Sequence, residues 1–196
     1  MRQSRTWVGM LVLLVLTAVG CGSTGSGNIV SETREIGSFD RIEVSSGIAV
    51  EITVDPAAPV RLTSIYDDNL QDKITTEVNG DTLVIEFRGN VIAPGSGRML
   101  KVEMPVLAGL LADGGASVHG AGTSQQLELR ADAGATIDLE DMIVQTMDIG
   151  LDGGSRATVN ALLGITGKVT GGATLTLTTA PASRDLDVSG GGHVSG

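Results

Sequence analysis

The segment Asp113-Gly-Gly-Ala-Ser-Val-His-Gly decides the fold of this chain, because four later segments align with it without a gap. They read Asp132-Ala-Gly-Ala-Thr-Ile-Asp-Leu, Asp152-Gly-Gly-Ser-Arg-Ala-Thr-Val, Thr170-Gly-Gly-Ala-Thr-Leu-Thr-Leu and Ser189-Gly-Gly-Gly-His-Val-Ser-Gly. The segment starts are 19, 20, 18 and 19 residues apart. A sustained period near 20 residues predicts a repeat architecture.

Apolar and polar residues alternate on both sides of the glycines in each repeat. The apolar positions include Leu110, Leu129, Ile149, Gly167 and Leu186 before the glycines, and Val118, Ile137, Ala157, Leu175 and Val194 after them. This period of two is typical of short strands with one buried face, and it excludes helix. A strand, a glycine bend and a second strand therefore predict one coil of a parallel β-solenoid, with equivalent residues stacked roughly 4.8 Å apart.

Residues 1–21 have the features of a targeting segment. Arg2 and Arg5 precede an apolar run from Val8 to Val19, which is too short to be a convincing membrane span. The run ends in Leu16-Thr-Ala-Val-Gly20-Cys21, which resembles the bacterial lipoprotein box, so Cys21 is expected to carry a lipid such as palmitate and to become the mature N-terminus. The alternatives are an ordinary secretory signal or an uncleaved anchor. Cys21 is the chain's one cysteine, so no disulfide stabilises the fold.

Residues 22–28, Gly-Ser-Thr-Gly-Ser-Gly-Asn, have the composition of a flexible tether. Loss of Arg2 and Arg5 with the signal reduces 13 basic residues to 11, against 23 acidic ones, which leaves a formal charge of −12. Such a chain repels phosphate backbones, so nucleic acid is excluded as a partner class. Attachment to a membrane is then expected through the lipid on Cys21 and not through a basic patch.

The solenoid domain is predicted over residues 29–196, about nine coils of about 19 residues. Its opening coil is Phe39 to Val54, where Ile42, Val44 and Val50 occupy the repeat positions around a Ser-Gly bend. The dipeptide Asn79-Gly80 lies between two β-rich runs and indicates either a tight hairpin or a solenoid corner.

The chain resembles the bacterial head GIN domain family of auto-transporter adhesins. The resemblance is carried by an ordered series of pieces over residues 30–196: Phe39-Asp-Arg-Ile-Glu-Val-Ser-Ser-Gly-Ile, Asp68-Asn-Leu-Gln-Asp-Lys-Ile-Thr-Thr-Glu-Val-Asn-Gly-Asp-Thr-Leu-Val-Ile, Lys101-Val-Glu-Met-Pro-Val-Leu and the glycine-rich repeats. It implies a single-domain, all-β, right-handed parallel β-helix, and it implies no catalytic residues. Many members are lipoproteins.

Two groups of residues raise the question of a chemical site. Asp113, Asp132 and Asp152 occupy equivalent positions in successive coils, and a column of carboxylates could bind Ca²⁺. Asp before Gly is also a good turn residue, and this interpretation is favoured over the metal. His119 and His193 lie four coils apart with no further histidine as a partner, so they are interpreted as surface residues.

The predicted function is a non-catalytic interaction or structural module at the cell envelope, adhesin-like in its most specific form. It requires no cofactor and no metal, and its expected partner is an extracellular or periplasmic protein or glycan. The alternative is a polysaccharide lyase or hydrolase on a β-helix scaffold, which the scarcity of aromatic and basic residues disfavours. An outer-membrane or cell-surface location is expected. The last repeat, Gly190-Gly-Gly-His-Val-Ser-Gly196, predicts self-association through the C-terminal coil.

Overall fold

A computed structural model describes residues 22–92 and 95–196. Over these residues the chain forms one 3₁₀ helix, Asp68–Lys73, and a single sheet of 14 strands. The strands are β1 (Ile29–Arg34), β2 (Arg41–Val44), β3 (Ala49–Val54), β4 (Arg61–Asp67), β5 (Ile74–Asn79), β6 (Thr82–Phe87), β7 (Met99–Met104), β8 (Gly109–Ala112), β9 (Ser117–Ala131), β10 (Thr136–Leu151), β11 (Arg156–Val169), β12 (Thr174–Leu177), β13 (Ser183–Val188) and β14 (His193–Ser195). The predicted all-β class is confirmed.

The sheet is open and curled, so that its two halves enclose one hydrophobic core. The first half-sheet has the order β1-β4-β7-β3-β9-β10-β11-β12-β14, and the second has the order β5-β6-β2-β8-β9-β10-β11-β13. The long strands β9, β10 and β11 belong to both halves, because their N-terminal parts pair in the first and their C-terminal parts in the second. Buried and exposed residues alternate along them, which places the apolar positions of the repeat inside.

The repeat alignment appears directly as the pairing register of the parallel strands. Leu110 pairs with Leu129, which pairs with Ile149, and the ladder continues through Gly167 to Leu186. A second ladder joins Val118, Ile137, Ala157, Leu175 and Val194. The aligned positions predicted from the sequence are therefore confirmed as strand partners.

The opening coil also follows the predicted register, but it has an unexpected neighbour. Ile42 pairs with Leu110, and Val50 pairs with Val118, at the same positions as in the later repeats. On their other sides β2 pairs with β6 and β3 pairs with β7. The coil nearest the N-terminus is therefore inserted between residues 82–104 and 109–122, an order that the sequence does not indicate.

The prediction of a parallel solenoid starting at residue 29 is wrong for the N-terminal third of the domain. Strand β4 runs antiparallel to both β1 and β7, and β5 runs antiparallel to β6. Among these antiparallel pairs β5 and β6 are joined directly by a short turn, whereas other strands lie in sequence between β4 and its partners β1 and β7. Asn79-Gly80 belongs to a hairpin and not to a corner, because Asn79 pairs with Thr82 and Gly80 has φ +67°.

Residues 1–21, the predicted signal with its lipid-acceptor Cys21, lie outside the described residues. Residues 23–28, predicted as part of a tether, contact the domain. The Gly27 N–H donates to Asp67 at 2.6 Å, and the Ser23 N–H donates to the carbonyl of Asn90 at 2.8 Å.

Candidate functional site

The five glycine bends form one edge of the molecule, here called the turn edge (residues 113–116, 132–135, 152–155, 170–173 and 189–192). In each bend the carbonyl of the first residue accepts the N–H of the fourth at 2.9–3.0 Å. The two central residues of every bend have positive φ, as in a type I′ turn. Glycine occupies nine of these ten central positions, and Ala133, at φ +45°, is the exception. The glycines are therefore required by the turn geometry.

The bends also hydrogen-bond to each other along the turn edge. The second central N–H of one bend donates to the first central carbonyl of the next, as from Gly134 to Gly153 at 3.0 Å and from Gly154 to Gly171 at 2.9 Å. The same bond joins Gly115 to Ala133 and Gly172 to Gly190. The turn edge is thus a continuous ladder, which fixes the spacing of the side chains beside it.

The aspartate column lies on the turn edge, and its carboxylates close their own bends. Asp132 Oδ1 accepts the Ala133 N–H at 2.6 Å, Asp152 Oδ1 accepts the Gly153 N–H at 2.8 Å, and Asp113 makes the equivalent bond to Gly114 at 2.5 Å. Among the described residues, no group of three His, Cys, Asp or Glu side chains is placed to hold a metal ion. These contacts assign the column a structural role in the bends.

A cavity of about 370 Å³ lies beside the turn edge on the outer face of the second half-sheet. We call it the outer furrow. It crosses four coils, with Leu111, Arg130, Gly150 and Lys168 along one side and Asp113, Asp132, Asp152 and Thr170 along the other. Both sides are straight because their residues are strand partners or equivalent bend residues. Cationic groups therefore face carboxylates across an apolar floor.

A network of charged side chains adjoins the outer furrow at Arg130. Arg130 Nη2 lies 2.6 Å from Asp148 Oδ1 and 3.1 Å from Glu128 Oε1, and Arg41 Nη2 lies 2.5 Å from the other oxygen of Glu128. The hydrogen bond to Glu128 raises the pKa of Arg41 above its usual range. This network lines a second cavity of about 470 Å³.

Two glycines leave room for these arginine side chains. A Cβ at Gly109 would lie 2.5 Å from the Arg41 guanidinium carbon, and a Cβ at Gly150 would lie 2.8 Å from Arg130 Cδ. The arginines therefore lie flat against the sheet, where they form part of the cavity walls.

The two histidines occupy separate places on the first half-sheet. His119 is half exposed, and its Nδ1 lies 3.6 Å from Asp138 Oδ2, which belongs to the next strand. His193 is an exposed residue of β14 and pairs with Thr174. The structure does not bring them together.

Sequence reasoning missed a buried ion pair at the N-terminal end of the domain. Asp67 ends β4 with a fully buried side chain and accepts two hydrogen bonds from Arg98, one of them from Nη2 at 2.9 Å. These bonds hold the pKa of Asp67 well below its usual range. The partners are 31 residues apart, and the alternation along β4 would place Asp67 on the exposed face next to the buried Tyr66, so no sequence signal reveals the pair.

The chain matches the family described as "Putative auto-transporter adhesin, head GIN domain" over residues 38–138 and 110–181. It belongs to this family, as its repeats indicate. None of the curated proteins compared with the chain matches it.

Two crystal structures, each described as that of a "putative adhesin", resemble the fold. The one from Parabacteroides distasonis ATCC 8503 has a TM-score of 0.59 at 18% identity, with 89% of this chain and 99% of that chain covered. The one from Bacteroides fragilis NCTC 9343 has a TM-score of 0.58 at 16% identity, with the same coverage. At these identities the likeness concerns the fold alone. Within residues 22–92 and 95–196, no helix is long and apolar enough to span a bilayer.

Proposed function

We propose that this protein is a non-catalytic, adhesin-like interaction module displayed at the cell envelope, and that it contacts an extended partner along the outer furrow. The observation that carries this proposal is the continuity of the furrow across four stacked coils. Three steps of about 4.8 Å give it a length of roughly 14 Å, which corresponds to about four residues of an extended peptide or a short glycan. Membership of a family described as adhesins supports the same function.

The chemistry of the outer furrow suits a partner with many polar groups. Lys168 offers N–H donors, and the carboxylate oxygens of Asp132 and Asp152 that are not bonded within their bends offer acceptors. Leu111 is 39% exposed and supplies apolar contact area at one end. Because the walls are held by strand pairing and by the bend ladder, little conformational entropy is lost when a partner binds.

The experiment is a glycan and extracellular-matrix array probed with the protein lacking residues 1–21. We expect reproducible binding to at least one component, weakened by Leu111→Ser and by Lys168→Ala. The matched controls are Leu163→Ser, which alters another exposed leucine outside the furrow, and Lys101→Ala on the first half-sheet. A parallel assay for polysaccharide degradation tests the enzyme alternative, and release of products would overturn a non-catalytic role.

We propose further that Cys21 carries a lipid that anchors the domain to the bacterial envelope, with the outer membrane or cell surface as the location. The lipoprotein-box sequence Leu16-Thr-Ala-Val-Gly20-Cys21 supports this anchor. Cys21→Ala should leave unprocessed precursor and abolish incorporation of labelled fatty acid. Continued labelling of that variant would contradict the proposal.

We infer that the repeats from residue 107 onward wind as a right-handed parallel β-helix. The support is the 17–20-residue spacing of the parallel pairs, since parallel strands joined by crossovers are right-handed in about 98% of cases. Left-handed winding of these coils in a crystal structure would refute this inference.

We also propose that two copies associate through the last coil. β13 and β14 end the two half-sheets over the described residues, and Val188 is 44% exposed there. Strand edges of this kind favour pairing with another chain. Light scattering should detect dimers that Val188→Lys weakens, whereas a strictly monomeric protein at high concentration would count against the proposal.

A further inference from the structure

The segment Ser23–Asn28, which we call the N-terminal clasp, is bound to the domain by side chains that follow β4. Asn69 holds it twice, because its Oδ1 accepts the Ser26 N–H at 3.0 Å and its Nδ2 donates to the Thr24 carbonyl at 2.8 Å. Asp68 accepts from Ser26 Oγ at 2.6 Å and from Asn28 Nδ2 at 2.9 Å. Both main-chain and side-chain groups of the clasp are therefore recognised.

The first residue of the clasp is also paired with the loop after β6. The Ser23 N–H donates to the Asn90 carbonyl at 2.8 Å, and the Ile92 N–H donates to the Ser23 carbonyl at 3.0 Å, which forms a parallel bridge between Ser23 and Val91. Glycines permit this close approach. A Cβ at Gly25 would lie 2.6 Å from Asp67 Oδ2, and one at Gly22 would lie 2.6 Å from Ile92 Cγ1.

The buried Asp67–Arg98 pair gives the clasp a fixed base. Asp67 accepts the Gly27 N–H at 2.6 Å while both of its oxygens are bonded to Arg98. A carboxylate with three such donors keeps its charge at neutral pH, so this hold persists under ordinary conditions. Three segments distant in sequence thus meet at one carboxylate, and the clasp cannot move independently of the sheet while these bonds are made.

We propose that the clasp holds the N-terminal end of the domain directly against a phospholipid bilayer, with Ile92 at the boundary between head groups and acyl chains. This inference rests on the proposed lipid at Cys21. One residue, Gly22, separates Cys21 from Ser23, so their Cα atoms are at most about 7 Å apart. The interfacial region of one leaflet is itself about 5–7 Å deep. Ser23 and its bonded neighbours Asn90 and Ile92 therefore lie at the depth of the head groups.

The exposed side chain of Ile92 fits this environment. It is 54% exposed although it is a large apolar residue bound next to the start of the clasp. Burial of its exposed part in the outer acyl region would be favourable at about 25 cal/mol per Å² of apolar surface removed from water. The lipid interface is the partner of the exposed Ile92 side chain. Apolar contact is required for this, because the chain is too acidic to bind anionic lipids through charge.

The proposal also fixes which end of the domain faces away from the bilayer. In the first half-sheet β1 and β14 are eight strand steps apart, or roughly 38 Å at about 4.8 Å per step. The clasp lies at the β1 end of this half-sheet. Gly27 bonds to Asp67, which pairs with the first residue of β1, and Asn28 bonds to Asp68, which directly follows β4. The turn around Ser189 is then remote from the membrane, and the outer furrow lies between the two ends.

The test uses the full-length lipidated protein in phosphatidylcholine vesicles that contain a lipid-borne fluorescence quencher. A fluorophore is attached through Ile92→Cys or, as the remote control, through Ser189→Cys, an exposed position in the last bend. We expect severalfold stronger quenching at position 92 than at position 189. Asn69→Ala, which removes two clasp bonds at an exposed position, should reduce the quenching at 92 toward that at 189. The matched control Asn160→Ala, which alters an asparagine bonded only within the later coils, should leave it unchanged.

Mass spectrometry of the same preparation tests the lipid on Cys21 separately from the membrane contact of the clasp. Acylated Cys21 with equal, weak quenching at both positions would overturn the membrane contact and leave the anchor intact. Cys21 without a lipid would refute the anchor, and the membrane contact with it.

Discussion

The stacked bends predict that neighbouring glycines in one turn have very different tolerance for a methyl group. Gly153 and Gly154 are the central residues of the third bend, at φ +58° and +73°. A Cβ at Gly153 would lie 2.1 Å from Asp132 Oδ1 and 2.6 Å from the backbone nitrogen of Ala133. A Cβ at Gly154 would meet nothing within 4 Å. Alanine would therefore impose similar backbone strain at the two positions, but only at Gly153 would its Cβ also clash with the preceding bend.

The magnitudes follow from these two terms. An alanine at positive φ costs about 1–2 kcal/mol, and Gly154→Ala should lose only this amount. Gly153→Ala must also displace the Asp132 carboxylate from its bond to the Ala133 N–H, worth about 1.5 kcal/mol at an exposed site, and must move the backbone of the preceding bend. A total loss of about 3–5 kcal/mol is expected.

Urea unfolding of the protein without residues 1–21, followed by circular dichroism, measures both losses. With a slope of about 2 kcal/mol per M, the midpoint should fall by roughly 2 M for Gly153→Ala and by less than 1 M for Gly154→Ala. Ala133→Gly, which relieves φ +45° in the adjacent bend, should raise it slightly. Equal losses at 153 and 154 would refute the bend-to-bend contact as the cause.

The remaining predictions concern ionisable groups and the core. Burial raises the pKa of Tyr66, the chain's one tyrosine, to about 12, so absorbance titration should show its ionisation near pH 12 and stability should fall above pH 10, where the unfolded chain loses this proton first. A transition near pH 10 in the folded protein would contradict this. Arg98 depresses the pKa of Asp67, so its contribution to stability is present above about pH 4 and is lost as the pH falls through the folded-state value. Asp67→Asn should therefore lower the urea midpoint at pH 7 and flatten its decline below pH 4, and an unchanged decline would assign that decline to other groups. Ile137→Asp places an unpaired charge in the core ladder and should cost several kcal/mol, which thermal unfolding measures; a melting temperature within a few degrees of wild type would show that position 137 is not buried.

The repeats could be predicted because the residues of each repeat specify its turn conformation and its buried face. The bend glycines mark the φ > 0 positions, and the alternation around them sets which face is buried, so Leu129 and Ile137 could be assigned to core ladders from sequence alone. The same reasoning placed Ile42 and Val50 in register with partners 68 residues away.

The N-terminal third could not be predicted in this way, because its pairing is set by contacts between distant segments. Alternation of apolar and polar residues in β4 is equally compatible with parallel and antiparallel neighbours. No local sequence feature indicates that β6 and β7 flank the opening coil. The composition of residues 22–28 predicts flexibility, yet Asp67, Asp68 and Asn69 bind their main chain and side chains. Such bonds depend on tertiary position and leave no pattern in the sequence.

The contribution of the outer furrow to binding is the central claim, and paired affinity measurements test it most directly. For a component captured on the array, the dissociation constant is measured by surface plasmon resonance for the wild type, Leu111→Ser and Leu163→Ser. Both leucines are exposed, and Leu111 alone lines the furrow within the described chain. We predict an affinity at least fivefold weaker for Leu111→Ser and no change for Leu163→Ser. Unchanged binding by Leu111→Ser, or equal weakening by both variants, would contradict the assignment of the partner site to the outer furrow.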